Sequence, residues 1–410
     1  MTQADILIIG GGIGGLAAAA SLSAIGQTVT LIERAPEFAE VGAGIQLGPN
    51  SYKMFSRLGI IDEVNAVSAF PEALIMRDNI TAEHIVRVPA GEEFRKRFGY
   101  PYAVIHRADL HGVLLKRCSD DPRVTLHVNA EADEISQDEN GVKVTTVDGR
   151  EFTAKALIGA DGIWSKTRAL VAGDGAPRPA GHIAYRAVLP TSEVPEELRT
   201  NAMTLWAGEK AHMVQYPLRG GELTNLVAVF HSDKFTEGWD DAGDVEELRV
   251  RFADKCPEVR TLLEKIESWR MWVLADRPPI RKWVDGRIAL LGDAAHPMLQ
   301  YLAQGANMAV EDAVCLADML VNEKGNYETA FERYRDARYM RTTRVQNTAR
   351  LYGEIYHASD ATRDWRNAEL KSWPVEKHYQ GLSWIYDISP TWRDDGDEAS
   401  LKEELTGTAA

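Results

Sequence analysis

Residues 5–34, DILIIGGGIGGLAAAASLSAIGQTVTLIER, constrain the fold more than any other stretch of the chain. An apolar run, Ile6 to Ile9, enters a glycine turn with Gly10, Gly12 and Gly15 in G-x-G-x-x-G register. An alanine-rich helix follows, then a second apolar strand, Val29 to Ile32, that ends in Glu33 and Arg34. Each glycine has a separate task. Gly10 permits the tight turn, Gly12 lets a pyrophosphate approach the backbone, and Gly15 lets helix and strand pack closely. The first N–H groups of the helix and its positive dipole end face the phosphates. Glu33, roughly 20 residues on, is placed to accept hydrogen bonds from ribose hydroxyls. A glycine motif alone is weak evidence. Strand, turn, helix, strand and acid in this order predict a dinucleotide site, with Arg34 beside Glu33 counted among its residues. A glycine-rich helix start without a ligand leaves Glu33 unexplained. The residues alone leave open whether the dinucleotide is a flavin or a nicotinamide.

Composition narrows the partners. The 410 residues are 45% hydrophobic and 26% charged, the balance of a globular protein with room for two or more cores. A net charge of −15 argues against nucleic acid or an anionic membrane as the main partner. Three widely spaced cysteines, Cys118, Cys256 and Cys315, fit free thiols in a reducing compartment and offer no metal-site spacing. The N-terminus has no basic n-region and its apolar stretch is broken by glycines, so no signal peptide is expected. No run reaches the ~18 apolar residues of a membrane span. A cytoplasmic location is expected.

Along the chain, EVGAGIQLGPNSYKMFSRLG reads as a glycine-rich loop and then a helix from Pro49 or Asn50. Residues 123–160 read as short strands. Residues 181–232 read as further strands, with a hairpin about Arg219-Gly220-Gly221. Apolar spacing predicts a helix over 243–266. GRIALLGDAAHP repeats the pattern of a strand entering a ligand-facing turn, and MAVEDAVCLADMLV is an amphipathic helix after it. Residues 327–357 are helical and charged, and the acidic end of the chain is expected to fray. Nucleotide-binding pieces are thus scattered around a mostly β segment.

Three motifs in order, GGGIGGLAAAASL with Glu33, IGADGIWSKTR, and RIALLGDAAHPMLQYLAQGANMAVEDA, resemble the single-component flavin-dependent aromatic hydroxylases of the para-hydroxybenzoate hydroxylase type. The resemblance covers essentially the whole chain. Within that family EVGAGIQLGPN, PYAVIHRADLH, HMVQYPLRGGELTNLVAVF and YGEIYH are most similar to the 3-hydroxybenzoate 6-hydroxylase group. The implied fold is α/β, a Rossmann-like FAD-binding domain with an inserted β-rich substrate domain and C-terminal helices. The expected boundaries are 1–72, 98–180 and 268–350 for the FAD domain, 73–97 for an excursion into the substrate domain, 181–267 for the substrate domain, and 351–410 for helices and tail. The resemblance also implies bound FAD, NADH as co-substrate with NADPH as the alternative, O2, and a homodimer to which the 327–357 helix offers an interface.

The family assigns roles that make physical sense. Asp293 binds FAD hydroxyls, and Gly305, Ala306 and Asn307 aim helix N–H groups at the N1–C2=O edge of the flavin ring, where reduction places negative charge. Asp161 with Gly162 supports FAD and the nicotinamide, Arg107 touches FAD, and Gln46 sits in a loop near the ring. The bland readings are an N-cap for Asp293, a structural turn for Asp161, a surface ion pair for Arg107 and a solvated loop for Gln46. His296 reads as structural, and Tyr301 as a pocket wall.

His212, Val214 and Tyr216 alternate on one face of a predicted strand, so His212 and Tyr216 project together. His212 is the candidate base for a phenolic proton, Tyr216 orients the substrate, and Gln300 hydrogen-bonds its oxygen. A satisfied core histidine and a plain turn glutamine are the alternatives. The mechanism implied by the resemblance is reduction of FAD by NADH, formation of a flavin C4a-hydroperoxide, and electrophilic attack on a ring activated by deprotonation. For 3-hydroxybenzoate the position para to the hydroxyl is carbon 6 and the product is 2,5-dihydroxybenzoate (gentisate). Salicylate and 6-hydroxynicotinate are alternative substrates. An NAD-dependent dehydrogenase would leave the second and third motifs unexplained. A flavin-binding redox sensor predicts bound FAD without substrate-stimulated NADH oxidation. An acidic chain that takes a benzoate also needs a local cation, which the sequence does not place.

Overall fold

The computed structural model describes residues 4–39, 43–232 and 239–394. All of the acidic tail beyond its first residue, Asp394, lies outside the described residues.

Among the described residues, three sheets carry the fold. In the first, the parallel strands Ile288–Leu290, Glu151–Gly159, Ala4–Ile9, Val29–Ile32 and Val124–His127 lie in that order. An antiparallel hairpin, Ala132–Asp138 with Gly141–Thr146, attaches to the outer part of Glu151–Gly159. A parallel sheet is covered on both faces, which is why its central strands, Ala4–Ile9, Ile288–Leu290 and the end of Glu151–Gly159, read as apolar runs rather than alternating ones. Ile6, Leu7, Ile8, Leu157 and Ile158 are fully buried. The helix Ile13–Ala24 packs on this sheet and on the helix Gly305–Asn322. Its alanines, Ala17 to Ala20, are fully buried and permit that close approach. Two glycines are obligatory here. Gly10 has φ +108°, and a Cβ on Gly15 would lie 1.9 Å from the Gly10 carbonyl oxygen.

The second sheet has eight strands, in the order Trp239–Ala242, Arg270–Asp276, Arg178–Pro190, Leu223–His231, Ala211–Leu218, Ala202–Gly208, Ala73–Asp78, His84–Pro89. Every pairing is antiparallel except that of Ala202–Gly208 with Ala73–Asp78. Strand Arg270–Asp276 belongs to this sheet, although it falls within the 268–350 stretch expected in the FAD domain. The single helix expected over 243–266 is two, Val245–Arg251 and Pro257–Glu264. Pro257 explains the break: it donates no backbone hydrogen bond and forces Cys256 into an extended conformation. Gln46 also differs from expectation. It lies on a strand, Gly44–Leu47, whose backbone pairs with Ala103–His106 in the small third sheet.

The helices Gly305–Asn322 and Tyr327–Tyr356 are joined by a buried charge cluster. Arg338 meets Glu311 at 2.5 Å and Asp312 at 2.7 Å, all three side chains fully buried. Arg341 reaches Glu311 at 2.7 Å. Burial alone would raise both carboxyls, but Arg338 with Arg341 around Glu311, and His296 with Arg338 around Asp312, hold both below their ordinary range. Breaking such a cluster leaves an uncompensated buried charge. Arg338→Met is therefore expected to cost about 3–5 kcal/mol of stability. The readout is the urea unfolding midpoint, and a midpoint equal to the parent's would contradict the role given to the cluster.

Candidate active site

Two cavities open where the two large sheets face each other. The outer one, about 410 Å³, is lined by Gly10, Gly11, Gly12, Glu33, Arg34, Arg107, Asp161 and Asp293 among others. The inner one, about 330 Å³, is lined by Gln46, Arg107, His212, Tyr216, Asp293, Gln300, Gly305 and Ala306 among others. Gly12, Arg107, Ala160, Gly162, Arg186 and Asp293 line both, so the cavities form one cleft. All but one of the residues singled out in the sequence for cofactor or substrate thus line this cleft or stand at its glycine turn. The exception, Asn307, is fully buried one residue deeper than Ala306.

In the outer part, Glu33 accepts hydrogen bonds from Gly11 N (2.7 Å) and Ala35 N (2.8 Å), which holds its carboxylate across the glycine turn. Each oxygen keeps a lone pair for a hydroxyl. Asp161 accepts from Ser165 Oγ at 2.5 Å and from Thr167 N at 3.0 Å, so its carboxylate fixes the start of the helix Lys166–Val171 as well as lining the cavity. Asp293 is exposed on the turn that follows strand Ile288–Leu290. Asn307 Nδ2 donates to the Gln46 and Ala303 carbonyls at 3.0 and 2.8 Å, and its Oδ1 accepts from Gly48 N at 2.9 Å. Its side chain therefore ties the helix N-terminus to the strand carrying Gln46, whose Oε1 accepts from the Tyr102 hydroxyl.

In the inner part, His212, Val214 and Tyr216 all line the cavity from strand Ala211–Leu218. Leu205, Val227, Tyr301 and Tyr356 supply apolar walls. Gly44 is a close-approach position: a Cβ there would lie 2.7 Å from the Tyr216 hydroxyl. His296 points away into the core, with Nε2 2.5 Å from Asp312 Oδ2, in keeping with a structural histidine.

Comparison with known proteins decides the ligand. A family model described as an FAD binding domain matches residues 3–349. The chain belongs to this FAD-binding family. The 3-hydroxybenzoate 6-hydroxylase of Polaromonas naphthalenivorans is 43% identical over 93% of this chain and 95% of that one. Among solved structures, Klebsiella pneumoniae HpxO complexed with FAD and uric acid superposes with a TM-score of 0.83, at 25% identity over 93% of this chain and 96% of the other. A salicylate hydroxylase substrate complex gives 0.81 at 27% identity, covering 100% and 99%. These matches place the protein among the FAD-dependent hydroxylases.

The cleft fits FAD on its own terms. The glycine turn admits no side chain at either of two positions: a Cβ on Gly11 would meet the Phe38 ring at 2.5 Å and one on Gly15 the Gly10 carbonyl oxygen at 1.9 Å. Carboxylates at Glu33 and Asp293 suit vicinal hydroxyls, and the N-terminus of Gly305–Asn322 opens between the two cavities' shared lining and the aromatic pocket.

Two side chains in this site escaped the sequence reading. Arg186, on strand Arg178–Pro190, lines both cavities and donates to Gln300 Oε1. Its guanidinium lies over the Trp272 ring at 5.2 Å, and its buried Nε has no hydrogen-bond partner among the described residues. The signal was a lone basic residue inside the apolar run AYRAVLP. His357, in YGEIYH, stands 2.7 Å from His212, with its Nε2 facing His212 Nδ1. Nothing in the spacing of positions 212 and 357 announces that pair.

Burial, reinforced by His182 and His231, pushes His212 down to about 3. The ring is therefore neutral at physiological pH, with a lone pair to accept a proton, but it is a poor resting place for one. Imidazole nitrogen shifts, read by NMR on histidine-labelled holoprotein, are expected to show His212 neutral from about pH 8 to about pH 5. A transition of His212 near its ordinary 6.5 would contradict this environment.

Proposed function

We propose that the protein hydroxylates 3-hydroxybenzoate at carbon 6, consuming NADH and O2 and releasing 2,5-dihydroxybenzoate. One observation carries this reading. A buried aromatic-sized pocket, contiguous with the FAD cradle, brings His212, Tyr216 and Gln300 together with a guanidinium, that of Arg186. The 43% identity to a 3-hydroxybenzoate 6-hydroxylase supports the same substrate. Bound FAD, reduced by NADH, supplies the oxygen-transfer chemistry. The residues supply binding, orientation and proton handling.

His212 takes the phenolic proton, which raises electron density at the carbon para to the hydroxyl. Gln300 and Tyr216 hydrogen-bond the two ends of the substrate and fix which carbon faces the flavin. Burial raises the Tyr216 hydroxyl well above its ordinary value, so it stays a donor. Arg186 provides the fixed positive charge that a benzoate requires in a chain of net charge −15. The apolar walls exclude water, which protects the oxygenating species from wasteful breakdown. The cofactor roles of Gly10, Gly12, Gly15, Glu33, Arg34, Gln46, Arg107, Asp161, Asp293, Gly305, Ala306 and Asn307 belong to the same proposal, as does NADH in preference to NADPH. A cytoplasmic location, supported by the three free cysteines, and a homodimer, supported by the family resemblance, are also part of it. No helix among the described residues is long and apolar enough to cross a membrane.

The direct test follows NADH oxidation by the yellow holoprotein with and without 3-hydroxybenzoate, with the product identified by chromatography. Stimulated oxidation that yields gentisate is expected. Stimulation that yields only hydrogen peroxide would move the substrate to salicylate or 6-hydroxynicotinate. No stimulation by any hydroxyarene would leave a flavin-binding sensor. The charge role of Arg186 has its own readout. Arg186→Gln is expected to weaken 3-hydroxybenzoate binding by about tenfold or more and 3-hydroxybenzamide binding much less, since a charged hydrogen bond is worth roughly 1.5–3 kcal/mol. Equal losses for the acid and the amide would remove the carboxylate assignment.

A further inference from the structure

We infer that His212, His357 and His231 form a proton relay that carries the phenolic proton from the aromatic pocket to the protein surface. The inference rests on the reading of His212 as the base. Its foundation is a continuous chain of imidazoles. His212 Nδ1 lies 2.7 Å from His357 Nε2, and His357 Nδ1 lies 3.0 Å from His231 Nε2. Exposure rises along the chain: His212 is 2% exposed, His357 8%, and His231 is half-buried at the end of strand Leu223–His231. His212 has no other hydrogen bond among the described residues, which leaves its Nε2 as the nitrogen available to the pocket it lines.

Three separate elements have to meet to build this chain. His212 and His231 come from neighbouring strands, and His357 is the residue that ends the helix Tyr327–Tyr356. The surroundings hold it rigid. His182 pairs with His231 across the strands, their rings 4.3 Å apart, and its Nδ1 is bonded to the Tyr301 hydroxyl at 2.6 Å. Tyr301 and Tyr356 pack against the His212 ring, and Tyr301 against His357. The charged groups that face the chain are Glu354, Lys210 and Arg251 about His231, and Arg366 about His357. Burial lowers all four histidines, His182 to about 4, so every ring rests neutral near pH 7.

That neutrality is the reason a relay is needed. A single buried imidazole that kept the phenolic proton would form a buried imidazolium–phenolate pair, whose cation draws back the electron density that the ring needs. In a chain, each ring gains one proton and loses one. The phenol O–H proton passes to His212 Nε2, the His212 Nδ1 proton to His357 Nε2, and the His357 Nδ1 proton to His231 Nε2. The His231 Nδ1 proton goes to water. The rings end neutral in their opposite tautomers, and the phenolate alone carries new charge. Reprotonation of the product phenolate runs the same transfers backwards and restores the starting tautomers. A cluster that served packing alone would not need its ring nitrogens joined end to end.

The test uses holoprotein and steady-state gentisate formation in the presence of a chelator, which removes any metal held by these histidines. Two variants interrupt the chain at different depths. His357→Phe keeps a ring in place, and His231→Ala sits at the half-exposed end, where loss of fold is least expected; FAD content monitors both. Each is expected to lower kcat by about tenfold or more with KM little changed, the scale of proton-transfer catalysis. Free imidazole should restore much of the rate of His231→Ala and none of that of His357→Phe. Parental kcat in both variants, or a His231→Ala loss that imidazole does not repair, overturns the relay. If the parent protein itself forms no gentisate, the reading beneath the relay fails with it. Turnover by the parent with parental rates in the variants removes the relay alone.

Discussion

The buried contact of Arg338 with Glu311 and Asp312 is the interaction on which the rest of the site depends. Its partners reach the Gly292–Asp293 turn, the N-terminus of the helix at Gly305 and the segment at Asn50. Asp312 accepts from Gly292 N at 3.1 Å and holds His296, which fixes the turn presenting Asp293. Glu311 accepts from Asn50 Nδ2 at 2.7 Å, and Asn50 also donates to Gln304 Oε1 at 2.9 Å, next to the helix N-terminus at Gly305. One cationic side chain from the long helix thus sets the turn below the flavin site, the helix end beside it and the loop that faces it. Buried ion pairs contribute little net stability beyond a well-packed apolar alternative. Their geometry is directional, however, and here it specifies where three chain segments stop.

The second sheet brings the aromatic pocket to that frame. Its strands enter from two distant parts of the chain, 73–89 and 178–276, and the parallel pairing of Ala73–Asp78 with Ala202–Gly208 joins them. Strand Ala211–Leu218 then presents alternate residues to the cleft, while its neighbour Leu223–His231 supplies His231 and the next strand over, Arg178–Pro190, supplies Arg186. The result is a division of labour. Backbone donors and carboxylates line the outer cavity, whereas imidazole, hydroxyl, amide and guanidinium groups line the inner one, where the proposal seats the aromatic ring. In the proposed mechanism, the neutral state that burial gives His212 links this architecture to chemistry, because it would leave the ring ready to accept the phenolic proton without holding it.

Much of this was legible in local patterns. The glycine register at positions 10, 12 and 15, the LLGDAAHP turn and the alternation of His212, Val214 and Tyr216 are short-range signals that encode their own geometry. What was not legible depends on pairing across long distances. Arg186 looked like one basic residue in an apolar strand until Gln300 was brought to it from 114 residues away. His357 gained meaning only when a helix end met two strands. The helix expected over 243–266 failed at Pro257, where apolar spacing outweighed the breaker in the reading although not in the chain. GAGIQLGP is rich in glycine and reads as a loop around Gln46, yet pairing with Ala103–His106 makes it a strand.

The central claim is an orientation: the phenol oxygen toward His212 and Gln300, the carboxylate toward Arg186, and carbon 6 toward the flavin. A crystal structure of the holoprotein with 3-hydroxybenzoate measures it directly. The account predicts the hydroxyl oxygen within about 3 Å of His212 Nε2, with the carboxylate on the guanidinium of Arg186. A ring seated the other way, its carboxylate against His212 and its hydroxyl remote from any base, would contradict it.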